Sequence, residues 1–492
     1  MSTKISVPST ASIDEKSLQS KDIEGSPVID AEAERKLLRK LDWRLLPLFT
    51  LVFALNFIDR TAIGNAKIAG LEKDLGMRGF DFNIALTAMY LCLVIFEIPS
   101  NLLLKRFGSV TLALMIVAFG ICTLATAFVT SFGGLVATRI FLGIAESGTL
   151  PGLAYILSRY YRRHEFILRV GVFLGISPSL SGAFGGLLAS GLLKIDDIGS
   201  IKSWRKIFFV EGIITTIIGI ICIVIIPTDP EHSRMLTAEE RTLALARVDA
   251  DQAVKTKGLR ENISWRLMGR AFNFNAVLCT LGYTLINISF QGLSLFMPTV
   301  IATLGHFTVV QSQLRTVPPY LVGATWALTA CYIGFRVKKR AAVLLCSLPM
   351  VIAGYAIAVS TKHSGARYAA TFLMIAGAVP TAPLLLSWGT ENAAPDTVRA
   401  VTTAIIPGVS SIGSIIAVWT YLPADAPNYH KGNSLNLATT SALWVLVAIG
   451  WLYIRWENGK RERGERDYRL KDRSPEEIEQ LGYLHPHFRY QA

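Results

Sequence analysis

Long apolar stretches recur along the whole chain, and they restrict what the sequence can fold into. Each is about 20 residues long or longer, which is the length that an α-helix needs to cross the apolar core of a bilayer. The composition agrees, because 51% of the 492 residues are hydrophobic and only 17% are charged. The sequence therefore predicts an all-α membrane protein with 12 transmembrane helices. We place these spans near residues 45–67, 83–104, 110–130, 134–157, 168–192, 207–226, 274–302, 317–335, 341–360, 368–389, 400–421 and 437–456.

The apolar stretches fall into two sets of six, separated by a charged segment in which Thr237 and Glu240 predict a helix start. Two six-helix bundles are therefore expected. The loops LLKRFGSV and FRVKKRAAV, at the same place in each half, indicate an internal duplication. Residues 32–46 predict an amphipathic helix on the membrane surface. The predicted divisions are a cytoplasmic N-terminal tail at 1–42, an N-terminal bundle at 43–227, a cytoplasmic central loop at 228–272, a C-terminal bundle at 273–456 and a cytoplasmic C-terminal tail at 457–492.

The net charge of +13 does not indicate a nucleic-acid partner, because the basic residues lie in the tails and inter-helix loops. Positive residues near the ends of spans favour the cytoplasmic side. Because the short loops on the two sides carry nearly equal positive charge, the tails and the central segment decide the orientation. Both termini are predicted to be cytoplasmic. All six cysteines lie within apolar stretches, which predicts neither a disulfide framework nor a metal site, and we expect no cofactor.

The first span carries two adjacent charged residues, Asp59 and Arg60, near its middle. A charge there costs about 2.5 kcal/mol or more, so such residues usually face a protein interior or a watery cavity. Asn56 lies one turn before Arg60 on the same helix face. An arginine can hold a carboxylate through two parallel hydrogen bonds, so Arg60 and Asn56 are candidates for binding an anion. The alternative is a structural ion pair of Arg60 with Asp59 or Glu146.

The fourth span supplies the candidate for proton coupling. Arg139 and Glu146 lie seven residues apart, two turns along one helix face. A buried carboxylate beside an arginine can alternate between an ion pair and a protonated form. We therefore assign proton coupling to Glu146, together with Arg139 and Asp59. The alternative for Glu146 is a permanent salt bridge to Arg139 or Arg60.

The second half of the chain offers polar residues but no lysine or arginine deep in a span. Tyr283, Asn287 and Gln291 form a stripe at helical spacing along the seventh span, and Trp388 lies near the end of the tenth. We expect these four side chains to face a substrate cavity and to shape substrate preference. Interhelical hydrogen bonding is the alternative role for each of them.

Several motifs resemble those of the major facilitator superfamily, and more closely those of its fungal anion:cation symporter branch, the allantoate permease-like transporters. The motifs are NFIDRTAIGNAKIAGLEKDLGM at 56–77, FEIPSNLLLKRFG at 96–108, RIFLGIAESGTLPG at 139–152, SGAFGGLLASG at 181–191, WRKIFFVEG at 204–212, QLRTVPPY at 313–320 and DAPNYHKGNSLNL at 425–437. The resemblance implies a carrier of two bundles with a central cavity and alternating access, located in the plasma membrane. It also implies import of small organic anions such as vitamins, ureides or carboxylates together with protons.

Animal relatives of this branch place an arginine in span one and an Arg-Glu pair in span four. The resemblance therefore implies functional roles for Arg60, Arg139 and Glu146, which stand at the matching positions. The chain departs from the branch at ESGTLPG, where the usual motif is EAGFFPG, and from the animal relatives in having no arginine in span seven.

We therefore expect a proton-coupled secondary transporter that imports a small organic anion, acts as a monomer in the lipid bilayer and is not an enzyme. The alternative is a proton-antiport exporter of a small metabolite, such as a fungal secondary metabolite. A nutrient sensor is disfavoured, because such proteins often have enlarged tails and those at 1–42 and 457–492 are short. A membrane enzyme is disfavoured, because the sequence shows no nucleophile-base pair, metal cluster or phosphate-binding loop.

Overall fold

The structure, a computed structural model, describes residues 30–197, 199, 201–227, 229–256, 269–471, 473–474, 478 and 481–491. The predictions for residues 1–29 and for 257–268 lie outside these ranges. Helices of the first half and the central segment are α1 (Ala31–Ile68), α2 (Leu71–Asp74), α3 (Asp81–Phe107), α4 (Ser109–Thr126), α5 (Phe132–Glu146), α6 (Thr149–Tyr160), α7 (Arg163–Leu192), α8 (Arg205–Ile225) and α9 (Ala238–Thr256).

Helices of the second half are α10 (Phe274–Ala302), α11 (Val309–Leu314), α12 (Val317–Val337), α13 (Arg340–Ser360), α14 (Ser364–Ala378), α15 (Thr381–Glu391), α16 (Asp396–Val418) and α17 (His430–Glu462). Short 3-10 helices lie at Pro230–His232, Pro423–Asp425, Asp467–Leu470 and Gly482–Leu484. In the part of the chain that the structure describes, 11 helical segments are long and apolar enough to cross a membrane. Helix α12, at the eighth predicted position, is not among the 11; it packs against α7 and α14. The predicted all-α membrane fold is confirmed.

Two of the spans are interrupted, and the interruptions occur at equivalent places in the two halves. The fourth span divides into α5 and α6, and the tenth divides into α14 and α15. Proline explains both breaks, because Pro151 and Pro383 have no N–H to donate to the carbonyl four residues earlier. The matching breaks support the internal duplication, and the first of them makes Glu146 the last residue of α5.

Helix α1 is much longer than the bilayer is thick. Its 38 residues extend about 57 Å at 1.5 Å per residue. The sequence predicted a separate surface helix over residues 32–46, and this was wrong, because those residues continue the first span without a break. One stripe of this extension, at Leu37, Leu41 and Leu45, is buried in the protein and not laid on a membrane surface.

The central segment folds onto this extension of α1. Thr237 and Glu240 form the expected capping box at the start of α9, with reciprocal hydrogen bonds of 2.9 and 3.3 Å. Glu240 also pairs with Lys40 of α1 at 2.5 Å. Further along α9, Arg247 is fully buried and pairs with Glu34 at 2.8 Å. The central helix is therefore fastened to the N-terminal bundle.

We call the end of the molecule that holds the start of α1, α9 and the end of α17 the tail end, and the opposite end the far end. At the far end the two bundles touch directly. Asn83 Nδ2 donates to the backbone oxygen of Val418 at 2.7 Å. The indole nitrogen of Trp419 donates to Thr87 Oγ1 at 3.1 Å. Gly64 of α1 packs so closely on α10 that a Cβ there would overlap the backbone oxygen of Leu295.

Residues 481–491, which we call the C-terminal strap, lie against the tail end of the C-terminal bundle. Arg461 of α17 donates to three strap carbonyls, at Tyr483, His485 and Phe488, over 3.0, 3.2 and 2.8 Å. Asn458 exchanges two hydrogen bonds with the backbone of Tyr490, at 2.9 and 3.0 Å. The strap thereby satisfies its own backbone groups with side chains of the bundle.

Candidate functional site

Arg60 of α1 and Glu146 at the end of α5 form an ion pair. Arg60 Nε donates to Glu146 Oε2 at 2.6 Å. The side chain of Glu146 is fully buried, whereas 14% of the Arg60 side chain is exposed. The guanidinium also lies 5.6 Å from the ring centre of Phe57. The structure thus brings together two residues that were selected from the sequence. An ion pair between Arg60 and Glu146 was the alternative role considered for each of them.

A second set of charges lies deeper in the N-terminal bundle. Asp59 and Arg139 are both completely buried. Among the described residues, neither carboxylate oxygen of Asp59 and none of the three guanidinium nitrogens of Arg139 has a hydrogen-bond partner. The Arg139 guanidinium instead lies 5.1 Å from the ring centre of Phe208. Since buried polar groups are nearly always paired, these unpaired atoms mark the region as a functional candidate.

Glu211 of α8 belongs to this deeper set, and sequence reasoning did not select it. Its side chain is buried, and its charge acts on both Asp59 and Arg139. Phe208, Glu211 and Thr215 follow one another at helical spacing on the same face of α8. The available signal was a single acidic residue within the apolar sixth span, which is costly unless it faces a protein interior.

A small cavity lies between the two bundles. Its volume is about 60 Å³, and its lining residues come from α1, α7, α10, α14 and α15. They are mostly apolar, and Phe57 connects the cavity wall to Arg60. Tyr283 and Asn287 supply polar atoms to the lining, as expected from the sequence.

Two residues of the polar stripe of α10, Asn287 and Gln291, make hydrogen bonds to other helices, and of these two only Asn287 lines the cavity. Asn287 Nδ2 donates to the backbone oxygen of Ser410 at 2.9 Å and to Ser414 Oγ at 3.0 Å. Gln291 is buried, and its amide donates to the hydroxyl of Tyr90 on α3 at 3.4 Å. Tyr90 in turn is an electrostatic neighbour of Arg60. Gln291 therefore connects the second half of the chain to the surroundings of the Arg60–Glu146 pair.

Of the six predicted substrate-binding residues, four are not among those that line this cavity: Arg60, Asn56, Gln291 and Trp388. Trp388 is completely buried at the tail end, and its indole nitrogen donates to the backbone oxygen of Gln491 at 2.9 Å. The N–H of Trp388 therefore holds the C-terminal strap, and the substrate-binding role of Trp388 stays a prediction. Asn56 is also completely buried, and neither polar atom of its side chain has a partner within the described residues. It lies in the protein interior, three residues before Asp59 on α1.

The two-bundle arrangement with an interrupted fourth and tenth span agrees with a comparison to known families. The family model of the Major Facilitator Superfamily matches residues 49–418. The chain belongs to the major facilitator superfamily. It is accordingly a multi-pass membrane transporter, and the family resemblance seen in the motifs is confirmed at that level.

Fungal transporters of this superfamily are similar to the chain over most of their length. An uncharacterized transporter of Schizosaccharomyces pombe is 32% identical over 443 residues, which cover 89% of this chain and 86% of that protein. The MFS-type transporter efuF of Hormonema carpetanum is 30% identical over 437 residues, covering 86% of each. The chain is therefore similar to fungal transporters over most of its own length as well.

A solved structure shares the fold. A bacterial homolog of the human lysosomal transporter Spinster, in an inward-facing and occupied conformation, superposes with a TM-score of 0.60. It covers 83% of this chain and 96% of its own, at 16% sequence identity. This similarity concerns the fold alone.

Proposed function

We propose that this superfamily member imports a small organic anion together with protons, and that it belongs to the allantoate permease-like branch. The observation that carries the proposal is the Arg60–Glu146 ion pair at 2.6 Å, because its arginine is partly exposed beside a cavity between the bundles. Vitamins, ureides and carboxylates are the substrate types that an arginine in such a site would select by charge.

An incoming carboxylate would compete with Glu146 for Arg60. Arginine binds a carboxylate through two parallel hydrogen bonds, and Glu146 uses only the Nε donor of Arg60. The cavity volume of about 60 Å³ corresponds to roughly two water molecules. Tyr283 and Asn287 would contact the remainder of the substrate once the bundles separate enough to admit it.

Displacement of Glu146 from Arg60 supplies the coupling to protons. The freed carboxylate is fully buried, and a buried charge without a partner costs several kcal/mol. Binding a proton removes that cost, as does pairing with Arg139, the other buried guanidinium of the site. A proton would therefore enter with the anion, and Glu146, Arg139 and Asp59 would form the group that responds to it.

Uptake of labelled small acids and vitamins into cells tests this proposal. Uptake should be faster at acidic than at neutral external pH and should collapse when an uncoupler removes the proton gradient. Arg60→Ala and Glu146→Gln should each abolish accumulation, whereas the exposed control Glu462→Gln should not. Accumulation by either site variant at normal surface level would contradict the assigned roles. Depletion of the substrate from the cells would indicate an exporter.

The charge distribution at the tail end supports one orientation of the protein in the membrane, and the plasma-membrane location is what the family resemblance implies. Basic residues of the α1 extension, α9 and the end of α17 gather there, and positively charged segments remain on the cytoplasmic side. We therefore also propose a plasma-membrane protein with both termini in the cytoplasm, functioning as a monomer because the cavity lies within one chain. Epitope tags at the two termini should be reached by antibodies only after the cells are permeabilised.

A further inference from the structure

Glu211 is a buried carboxylate for which the described residues provide no hydrogen-bond partner. It stands on α8 in a tightly packed region, since a Cβ at the next residue, Gly212, would overlap the backbone of Leu124 on α4. Only 2% of Glu211 is exposed, and neither of its carboxylate oxygens has a hydrogen-bond partner among the described residues. The hydroxyl of Thr215, one turn further along α8, is also buried without a described partner.

The charged and titratable groups that act in the region of Glu211 and Asp59 come from α1, α4 and α5. Arg139 of α5 is the cation that acts on both carboxyl groups. Glu146 of α5 also acts on Asp59, and Cys122 of α4 acts on Arg139. Arg60 of α1 is already paired with Glu146. The deeper set therefore contains two carboxyl groups, Asp59 and Glu211, and one guanidinium that is not engaged in an ion pair.

This charge count leaves one negative charge too many in a fully buried position. An unpaired charge in the interior costs several kcal/mol, and two carboxyl groups that share a site commonly share a proton. We infer that one of the two carboxyl groups, Asp59 or Glu211, is protonated beside Arg139, and that this pair, which we call the carboxyl dyad, is a second proton-binding site of the transporter. Glu211 does not contact the substrate and acts on it only indirectly, through Arg139 and the Arg60–Glu146 pair.

The consequence for transport rests on the function proposed above. A substrate carboxylate that pairs with Arg60 displaces Glu146. Arg139 can then pair with Glu146 only if the dyad, whose remaining negative charge Arg139 balanced, binds a second proton. The incoming proton therefore has two destinations, Glu146 or the dyad. In Glu211→Gln, Asp59 and Arg139 balance each other, and the resting site holds no proton.

Infrared spectroscopy of the purified full-length protein tests the dyad without any substrate. The carbonyl stretch of protonated carboxyl groups is recorded at neutral pH for the wild type, Glu211→Gln, Asp59→Asn and the exposed control Glu462→Gln. We expect the wild-type band to lose the intensity of one carboxyl group in both dyad variants and to stay unchanged in the control. A band of full intensity in Glu211→Gln, or no such band in the wild type, would overturn the inference.

Two further measurements distinguish the dyad from a folding defect and from a failure of the proposed function. Glu211→Asp keeps a carboxyl group and should keep the band, so a loss of folding in Glu211→Gln does not decide the outcome. The uptake experiment is independent of the infrared result. If anion uptake fails and the band behaves as expected, the proposed function falls and the dyad stands. If uptake is proton-coupled and the band is insensitive to Glu211→Gln, the dyad falls and the proposed function stands.

Discussion

The side-chain amide of Asn83 donates a hydrogen bond to the backbone oxygen of Val418 over 2.7 Å, and this bond joins the two halves of the chain. Asn83 lies in the first turn of α3, and Val418 is the last residue of α16. Both residues are completely buried. The far end is therefore closed by contacts between the bundles, and any movement that opens it must break this bond.

Replacement of Asn83 by alanine should favour opening of the far end. The Val418 carbonyl would lose its partner in the closed state only, which costs roughly 1–3 kcal/mol. The measurement is the rate at which an impermeant maleimide labels a cysteine that replaces the buried Ser294, relative to the same protein without that cysteine. Labelling should become about tenfold faster, since 1.4 kcal/mol corresponds to that factor. Ser360→Ala, an exposed far-end change, serves as control, and equal rates in both variants would contradict the prediction.

Gly64→Ala should prevent the same closure by a steric route. The added methyl group would overlap the backbone oxygen of Leu295, and backbone in a packed span cannot move aside cheaply. Overpacking of this kind costs roughly 1–3 kcal/mol, and here the cost applies only when α1 and α10 approach. Transport should fall severely while the amount of folded protein stays normal. The matched control is Gly185→Ala, where a methyl group would meet its nearest atoms at 3.9 Å. Equal transport by the two variants would contradict the steric argument.

Trp388→Phe should loosen the C-terminal strap. The phenyl ring preserves most of the buried apolar surface but removes one of the two donors to the Gln491 carbonyl, at a cost of about 1 kcal/mol, and leaves the other, the side-chain amide of Asn392 at 2.8 Å. Limited proteolysis of the purified protein should cut within residues 481–491 roughly fivefold faster, as expected from a change of that size. The control is Trp444→Phe. It also removes an indole hydrogen bond, but that bond is exposed and runs from α17 to the backbone oxygen of Leu345, away from the strap. An unchanged cutting rate in Trp388→Phe would show that the strap does not depend on this bond.

Docking of the strap should weaken as the pH falls. Burial lowers the pKa of His485, and the neighbouring His487 and Arg461 lower it further. A group whose pKa is depressed in the docked state stabilises docking above its free pKa of about 6.5, and this contribution is lost as the pH falls through the docked value. The proteolysis ratio of wild type to His485→Gln should therefore rise below about pH 6.5, since the variant lacks the titrating group. A ratio that is constant with pH would contradict this linkage.

The apolar pattern was sufficient to predict the spans, because the bilayer sets both their length and their composition. It did not predict the extension of α1 as part of the first span, because residues 32–46 are polar on one side and their burial depends on α9, which lies some 200 positions away in the chain. The breaks in the fourth and tenth spans had local signals, in Pro151 and Pro383, that the sequence reasoning did not use.

The candidate site was predictable in part for a related reason. A charge inside an apolar stretch is visible from the sequence, and so Arg60, Arg139 and Glu146 were selected. Helical spacing shows which residues share a face of one helix but not which helix lies opposite. Glu211 was visible in the same way but was not selected, because its relation to Asp59 and Arg139 on other helices does not show in the spacing of one helix. Trp388 was assigned to the cavity because that spacing does not show the strap, which lies about 100 positions further on and contacts its indole.

Each half of the molecule carries its own attachment at the tail end, α9 on the N-terminal bundle and the strap on the C-terminal bundle. Dyes placed on cysteines at Glu239 and His487, both exposed, would therefore each follow one bundle without touching the cavity. The energy transfer between such dyes would record how far apart the halves stand. Candidate acids could then be ranked by their effect on that signal in purified protein, so that ligands are found without measuring transport.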